Sequence, residues 1–300
     1  MKRKLTIYLS AILIPFTFLL SEAFSDAREE FHRTYNVKSG TEVEFANRNG
    51  KVDIRSWDKD YVDVYALKRT KRNQDELDLV TIEVNNNGVL EIKTVFEKYP
   101  EKDTFFKRLF GWRHQTSPEV TVDYTIKLPT TVLLSKALIR NGSIEIDGTR
   151  GDTIVRSRNG SIIINNVDQC IEAEARNGNI SITSGTVIGK VKTRNGNITI
   201  NNGTGMENVQ TRNGSIEVSL LDKRFGNTCF STRNGSVVLY LSPDMNAGIE
   251  LQTRDGKITT EGISLMLDKI TKKHIVGTLG SGGNAISVKT RNGRISLRQD

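Results

Sequence analysis

One tripeptide constrains this chain more than any other feature. Arg-Asn-Gly stands at Arg48-Asn49-Gly50, Arg140-Asn141-Gly142, Arg158-Asn159-Gly160, Arg176-Asn177-Gly178, Arg194-Asn195-Gly196 and Arg212-Asn213-Gly214. It returns at Arg233-Asn234-Gly235, as Arg254-Asp255-Gly256, and at Arg291-Asn292-Gly293. Gly142, Gly160, Gly178, Gly196 and Gly214 are evenly spaced. The intervals to Gly235 and Gly256 are slightly longer, and the one to Gly293 is about twice as long. A fixed period of about 20 residues is the mark of a repeat architecture, in which each unit leans on its neighbours.

The residues around each tripeptide say what a unit contains. Asn-Gly is a strong turn signal, because both residues readily take positive φ. After it comes a short alternating run, such as Ser143-Ile144-Glu145-Ile146, Asn179-Ile180-Ser181-Ile182 or Ser215-Ile216-Glu217-Val218. Its second and fourth residues are apolar, the period-two pattern of a strand with one buried face. A second short strand precedes each turn, with an apolar residue five before the glycine: Val155, Ala173, Val191, Val209, Phe230, Leu251 and Val288. Two strands and two turns per period suit one coil of a right-handed β-solenoid, all-β, with roughly 18–21 residues per coil. The competing layout is an antiparallel meander with a hairpin at each Asn-Gly. The solenoid is preferred because like residues recur at every offset, which a parallel ladder explains directly. No single coil can cover its own apolar face, so the core exists only by stacking.

In chain order, residues 1–25 have the form of a signal peptide. Lys2, Arg3 and Lys4 precede an apolar stretch, and Ser21, Ala23 and Ser25 offer cleavage positions. The apolar run, with Pro15 inside it, is shorter than the roughly 20 residues that span a bilayer. An exported protein of the periplasm, cell envelope or extracellular space is expected. Residues 26–96 read as a bulkier N-terminal β cap, out of register with the later repeats and rich in aromatics (Phe31, Tyr35, Phe45, Trp57, Tyr61, Tyr65). An end unit of this kind covers an open core and an exposed sheet edge. Residues 97–118 interrupt the pattern with an aromatic-basic insert. Within it, residues 105–113 are a candidate for peripheral membrane contact, or else aromatics tucked against the cap. The regular repeats occupy 119–300.

Val52-Asp53-Ile54-Arg55-Ser56-Trp57-Asp58 after an Asn-Gly resembles the opening of a family of bacterial β-strand-repeat proteins called putative adhesins. So does Val122-Asp123-Tyr124-Thr125-Ile126-Lys127-Leu128-Pro129 leading into Asn141-Gly142-Ser143-Ile144. The stretch from Gly280 to Thr290 is similar to that family's last coil. The resemblance covers nearly the whole chain after residue 25 and implies a secreted or envelope-associated β-solenoid. It brings no catalytic residues, and the aromatic insert departs from its pattern.

Candidate chemistry is sparse. His32, His114 and His274 lie far apart, so no metal site is expected, and no serine sits in a Gly-x-Ser-x-Gly elbow. The outward acids Glu145, Glu172, Glu174 and Glu217 do not recur as a stack, so the alternative of a carbohydrate-active enzyme on a β-helix ranks below a non-enzymatic module. Asn-Gly-Ser at 141, 159, 213 and 234 satisfies the glycosylation sequon, but the turn accounts for it. Cys170 and Cys229 fall three coils apart, about 14 Å at the usual strand spacing, too far for a disulfide. Charged residues make up 26% of the chain and apolar residues 36%, a globular balance; the net charge of +8 favours anionic partners without naming one, and no nucleic-acid partner is expected. No cofactor is expected. What remains is the arginine before each turn. Arg140, Arg158, Arg176, Arg194, Arg212, Arg233, Arg254 and Arg291 would line one edge, as packing for apolar surface or as a cationic ladder for an anionic glycan. Another envelope protein is the other partner considered.

Overall fold

The computed structural model describes residues 26–97, 118–220 and 226–300. The export signal read at 1–25 and residues 98–117 of the aromatic insert lie outside them. The fold is a β-solenoid. Each coil runs up one strand, bends at Arg-Asn-Gly, runs along a second strand and returns at a back corner.

Stacking is parallel and in register. Val155 lies beside Ala173, Ala173 beside Val191, Val191 beside Val209 and Val209 beside Phe230. On the other sheet Ile144, Ile162, Ile180, Ile198, Ile216 and Val237 form one column. These columns face each other and are fully buried. A meander is thereby excluded: among the described residues antiparallel pairing occurs only toward the two ends of the stack.

At the first end, Val80–Asn86 pairs antiparallel with Val89–Phe96, which lies parallel to Glu42–Asn49. Ala27–Asn36 pairs with Tyr61–Thr70, and that strand with Thr121–Pro129. Phe45 packs edge-on against Tyr124 at 4.9 Å. Burial raises the Tyr124 phenol above its ordinary value, although its hydroxyl shares a 2.6 Å hydrogen bond with Thr94.

Two placements differ from the sequence reading. Glu42–Asn49 is not out of register: it stacks on Leu133–Asn141 with Asn49 opposite Asn141, and Val52 sits opposite Ile144. The chain leaves after this first coil and comes back onto it, so the corner sets the register whatever the distance along the chain. The last coil is also not last in space. Ala285–Asn292 inserts between Thr228–Asn234 and Ala247–Thr253, parallel to both. The long final interval between corner glycines contains the excursion that makes this possible, through Leu265–Ile270 and His274–Leu279.

Candidate functional site

The front corner is built from three residue types with separate tasks. From Gly50 to Gly235 the glycine N–H donates to the asparagine carbonyl of the next coil, as Gly160 to Asn177 at 2.9 Å and Gly196 to Asn213 at 3.0 Å, whereas the Gly256 N–H donates to the Thr253 hydroxyl at 3.0 Å. The glycine lies so close to the coil below that no side chain fits: a Cβ on Gly196 would stand 2.1 Å from the Gly178 carbonyl oxygen. Most of these glycines also have positive φ, from 130° at Gly50 to 157° at Gly235. Gly178, Gly256 and Gly293 are outside that set, and there the need is for space alone, with a carbonyl oxygen of the adjoining coil 2.1, 1.6 and 1.8 Å from a built Cβ.

The asparagines do something other than turn. Among the described residues the non-glycine positions with positive φ are Asn166, Ser184 and Asn202, none of them in an Arg-Asn-Gly. The expectation of a turn with positive φ at both Asn and Gly therefore fails at Asn. Instead the amides form a column. Asn141 Nδ2 donates to Asn49 Oδ1 at 2.8 Å, Asn159 to Asn141 at 2.7 Å and Asn177 to Asn159 at 2.8 Å. Asn195, Asn213 and Asn234 each donate to the asparagine below at 2.7 Å. The amides of the four sequons, Asn141, Asn159, Asn213 and Asn234, are thus already engaged. Asn292 stands between Asn234 and Asp255. Its amide nitrogen lies 2.8 Å from Asn234 Oδ1, or turned over, 3.1 Å from Asp255 Oδ2. Asp255 brings only acceptors, so the column's donor-to-acceptor order stops there.

A row of threonines, not singled out from the sequence, braces the same corner from inside. Thr193, Thr211, Thr232 and Thr290 are buried, and their hydroxyls donate to the carbonyls of Gly178, Gly196, Gly214 and Gly235 at 2.9–3.0 Å. The recurring Thr-Arg-Asn-Gly was its signal in the sequence.

The arginines are left outside. Arg140, Arg158, Arg176, Arg194, Arg212, Arg233, Arg254 and Arg291 are all exposed. In space the row ends Arg233, Arg291, Arg254, because the last coil is inserted. Arg48 extends the row at its start, with its guanidinium 5.1 Å from the Phe96 ring centre. Arg254 lies 3.7 Å from Asp255; among the described residues the other seven have no acidic partner. Three arginines away from the front corner behave differently. Arg156 meets Glu172 at 2.7 Å, Arg150 meets Asp168 at 3.1 Å, and Arg55 meets Asp53 at 2.7 Å and Glu145 at 3.5 Å. Hydrogen bonding from Arg156 holds the Glu172 carboxyl below its ordinary range. Two of the outward acids, Glu145 and Glu172, are therefore charge partners of strand arginines.

Between the corner arginines and the asparagine column runs an open groove of about 550 Å³, lined by Arg194, Arg212, Arg233, Arg291 and Arg254 with Asn195, Asn213, Asn234, Asn292 and Asp255. Coils repeat at about 4.8 Å, and two unit charges about 5 Å apart in water repel by about 0.8 kcal/mol. The row thus carries self-repulsion that an anion bridging neighbouring guanidiniums would relieve. Guanidinium groups are suited to carboxylate and phosphate or sulfate oxygens in forked hydrogen bonds.

The remaining candidates lie elsewhere. His32 contacts Asp63 at 2.7 Å and His274 faces Glu250 at 3.5 Å, while His114 lies outside the described residues. Cys170 and Cys229 are free thiols, and burial pushes the Cys170 thiol up to about 12. Among the described residues no helix is long and apolar enough to cross a membrane.

No curated protein is similar enough to match. Solved structures with a related trace include a "putative cell adhesion protein" from Clostridium sporogenes, 12% identical, covering 91% of this chain and 100% of its own, with a TM-score of 0.27. A "putative adhesin" from Bacteroides fragilis is 13% identical over 91% of this chain and 97% of its own, with a TM-score of 0.37. A "putative lipid binding protein" from Parabacteroides distasonis is 12% identical over 90% and 96%, with a TM-score of 0.22. A family model matches residues 40–298, from just before the first coil to the end of the inserted one. The chain belongs to the Toastrack DUF4097 family.

Proposed function

We propose that this is an exported, non-enzymatic envelope or surface module that binds a linear polyanion along its arginine row, in an adhesin-like role. The observation that carries the reading is the contrast in pairing. Arg55, Arg150 and Arg156, away from the front corner, have acids beside them, whereas seven exposed corner arginines have none among the described residues, and several of them line a single groove. A chain with a negative group at each step or every second step of about 4.8 Å would contact several coils at once. Each contact is weak and screened, but linked contacts multiply. Acidic bacterial surface glycans have this chemistry.

The test is a panel of acidic and neutral polysaccharides, scored for binding and for cleavage. Binding restricted to acidic members, falling steeply with salt and without shortening of the chain, is the expected result. Turnover of any member would replace the binding module with an enzyme. Equal binding of neutral members would remove the arginine row from the account.

A further inference from the structure

The far end of the stack carries a second surface with a different character. Among the described residues the exposed large apolar side chains are Val89, Leu133, Met266, Leu267 and Ile270. The last three are the most exposed, at 64%, 50% and 66%, and all belong to one strand, Leu265–Ile270. That strand pairs on one side with His274–Leu279, and its other side has no partner among the described residues. The connecting loop brings Thr271, Lys272 and Lys273, with Lys273 Nζ donating to the Gly256 carbonyl at 2.6 Å. The tip is thereby tied to the corner of the coil at the end of the stack. Lys269 and Lys272 are exposed and have no acidic partner among the described residues. Asp268 is the only acid between Leu265 and His274, against Lys269, Lys272 and Lys273.

Three occupants fit an exposed apolar edge, and the observations favour one. Strand addition by another protein needs a flat edge, but the pairing slips between Leu267 and Lys269, a bulge of the kind that turns an edge away from such pairing. A second copy docked here would set two groups of lysines against each other. A membrane surface with anionic lipid satisfies both features: apolar side chains enter the interface while lysine stems reach the headgroups. We infer that the hairpin formed by Leu265–Ile270 and His274–Leu279 is a membrane-docking tip, which seats Met266, Leu267 and Ile270 in an anionic bilayer and stands the solenoid on its end. The arginine row then runs away from the membrane and stays open. This assignment is independent of the polyanion reading, because it uses other residues at one end of the molecule.

The experiment is flotation with vesicles of phosphatidylcholine alone or mixed with phosphatidylglycerol, together with an Ile270→Trp reporter whose fluorescence reads burial of the tip. Co-flotation with the mixed vesicles and a blue shift of the added tryptophan are expected, both absent with phosphatidylcholine alone. Lys269→Gln with Lys272→Gln should weaken binding roughly fivefold per lysine. Met266→Ser, Leu267→Ser and Ile270→Ser together should abolish it. These positions are exposed, so the fold should persist, which circular dichroism checks. If the serine variant fails to fold, the lysine pair and the tryptophan reporter decide. Replacing Arg158, Arg176, Arg194 and Arg212 with Gln should leave flotation unchanged. Loss of flotation in that arginine variant but not in the tip variants would overturn the assignment. So would equal binding to neutral vesicles, or a concentration-dependent dimer that disappears in the serine variant.

Discussion

The front and back corners of each coil make the same reversal under different constraints. At the front, every regular coil repeats Asn-Gly, and the glycine touches the carbonyl of the coil below. At the back, the matching positions of successive coils are Gly148, Asn166, Ser184 and Asn202, of three residue types with φ of 67°, 52°, 50° and 57°. The back corner asks only for a left-handed conformation, which glycine and small polar residues supply. The front corner asks for an absent side chain, a side-chain amide and a backbone donor in one place. Insertions obey the distinction. Among the described residues the extra ones in the longer coils lie between a strand that follows the front corner and the strand that leads to the next one, as with residues 242–246. The front can therefore present an unbroken row to solvent while the chain varies behind it.

The comparison can be broken most severely at a front glycine. Gly196→Val sets side-chain carbon against the Gly178 carbonyl at a φ of 156° and should destabilise by on the order of 3–5 kcal/mol. Next comes the amide column. Asn195→Ala removes one bond to Asn177 and one from Asn213, and both neighbours remain reachable by water, so about 1–2 kcal/mol should be lost. Asp255→Asn has the opposite sign. It gives Asn292 a partner that donates as well as accepts, which continues the column one coil further, and about 0.5–1 kcal/mol should be gained. A thermal melt that places Asp255→Asn below the parent would mean that its contact with Arg254 outweighs the column. The smallest effect belongs to the back corner. Ser184→Gly should stabilise slightly, by about 0.5 kcal/mol, as relief of the left-handed strain exceeds glycine's entropy cost. Denaturant midpoints of the Gly196 and Ser184 variants check that the two corners respond with opposite signs.

Much of this was legible from residue pattern alone. Alternation in Ile144-Glu145-Ile146 and its equivalents identified strands, their buried face and the columns they form. The apolar residue five before each glycine marked the other wall of the core. What the asparagine does was not legible, because Asn-Gly has two structural uses. The same dipeptide closes a tight hairpin or builds a side-chain ladder, and only the neighbouring coil decides. The order of the last coils was hidden for a related reason. Shared corner geometry says that Asn292 stacks in the column but not which neighbours it takes, and Asn234 and Asp255 both accept it. The back corner gave no motif to find, since Gly148, Asn166, Ser184 and Asn202 share a conformation rather than a residue type. The pairing that sets corner arginines apart from Arg55, Arg150 and Arg156 depends on which acids approach from adjacent coils, as Glu172 does for Arg156.

The central claim is that the front corner divides its labour, with Asn, Gly and Thr holding the stack and Arg facing out to bind. One variant tests both halves: Arg158, Arg176, Arg194 and Arg212 replaced together by Gln, with melting temperature and affinity for an acidic polysaccharide measured on the same preparation. Exposed side chains without acidic partners contribute little to folding, so the melt should move by no more than about 0.5 kcal/mol per site. Affinity should collapse, because adjacent contacts to one chain act together. A matched set at Lys68, Lys71, Lys93 and Lys127 removes the same formal charge away from the corner; since Lys68 is buried and paired with Glu29, that set is expected to cost stability and yet to spare most of the binding. Loss of affinity to the same extent in both sets would reduce the attraction to general basicity. A large fall in melting temperature with affinity retained would make the arginines part of the scaffold and contradict the account.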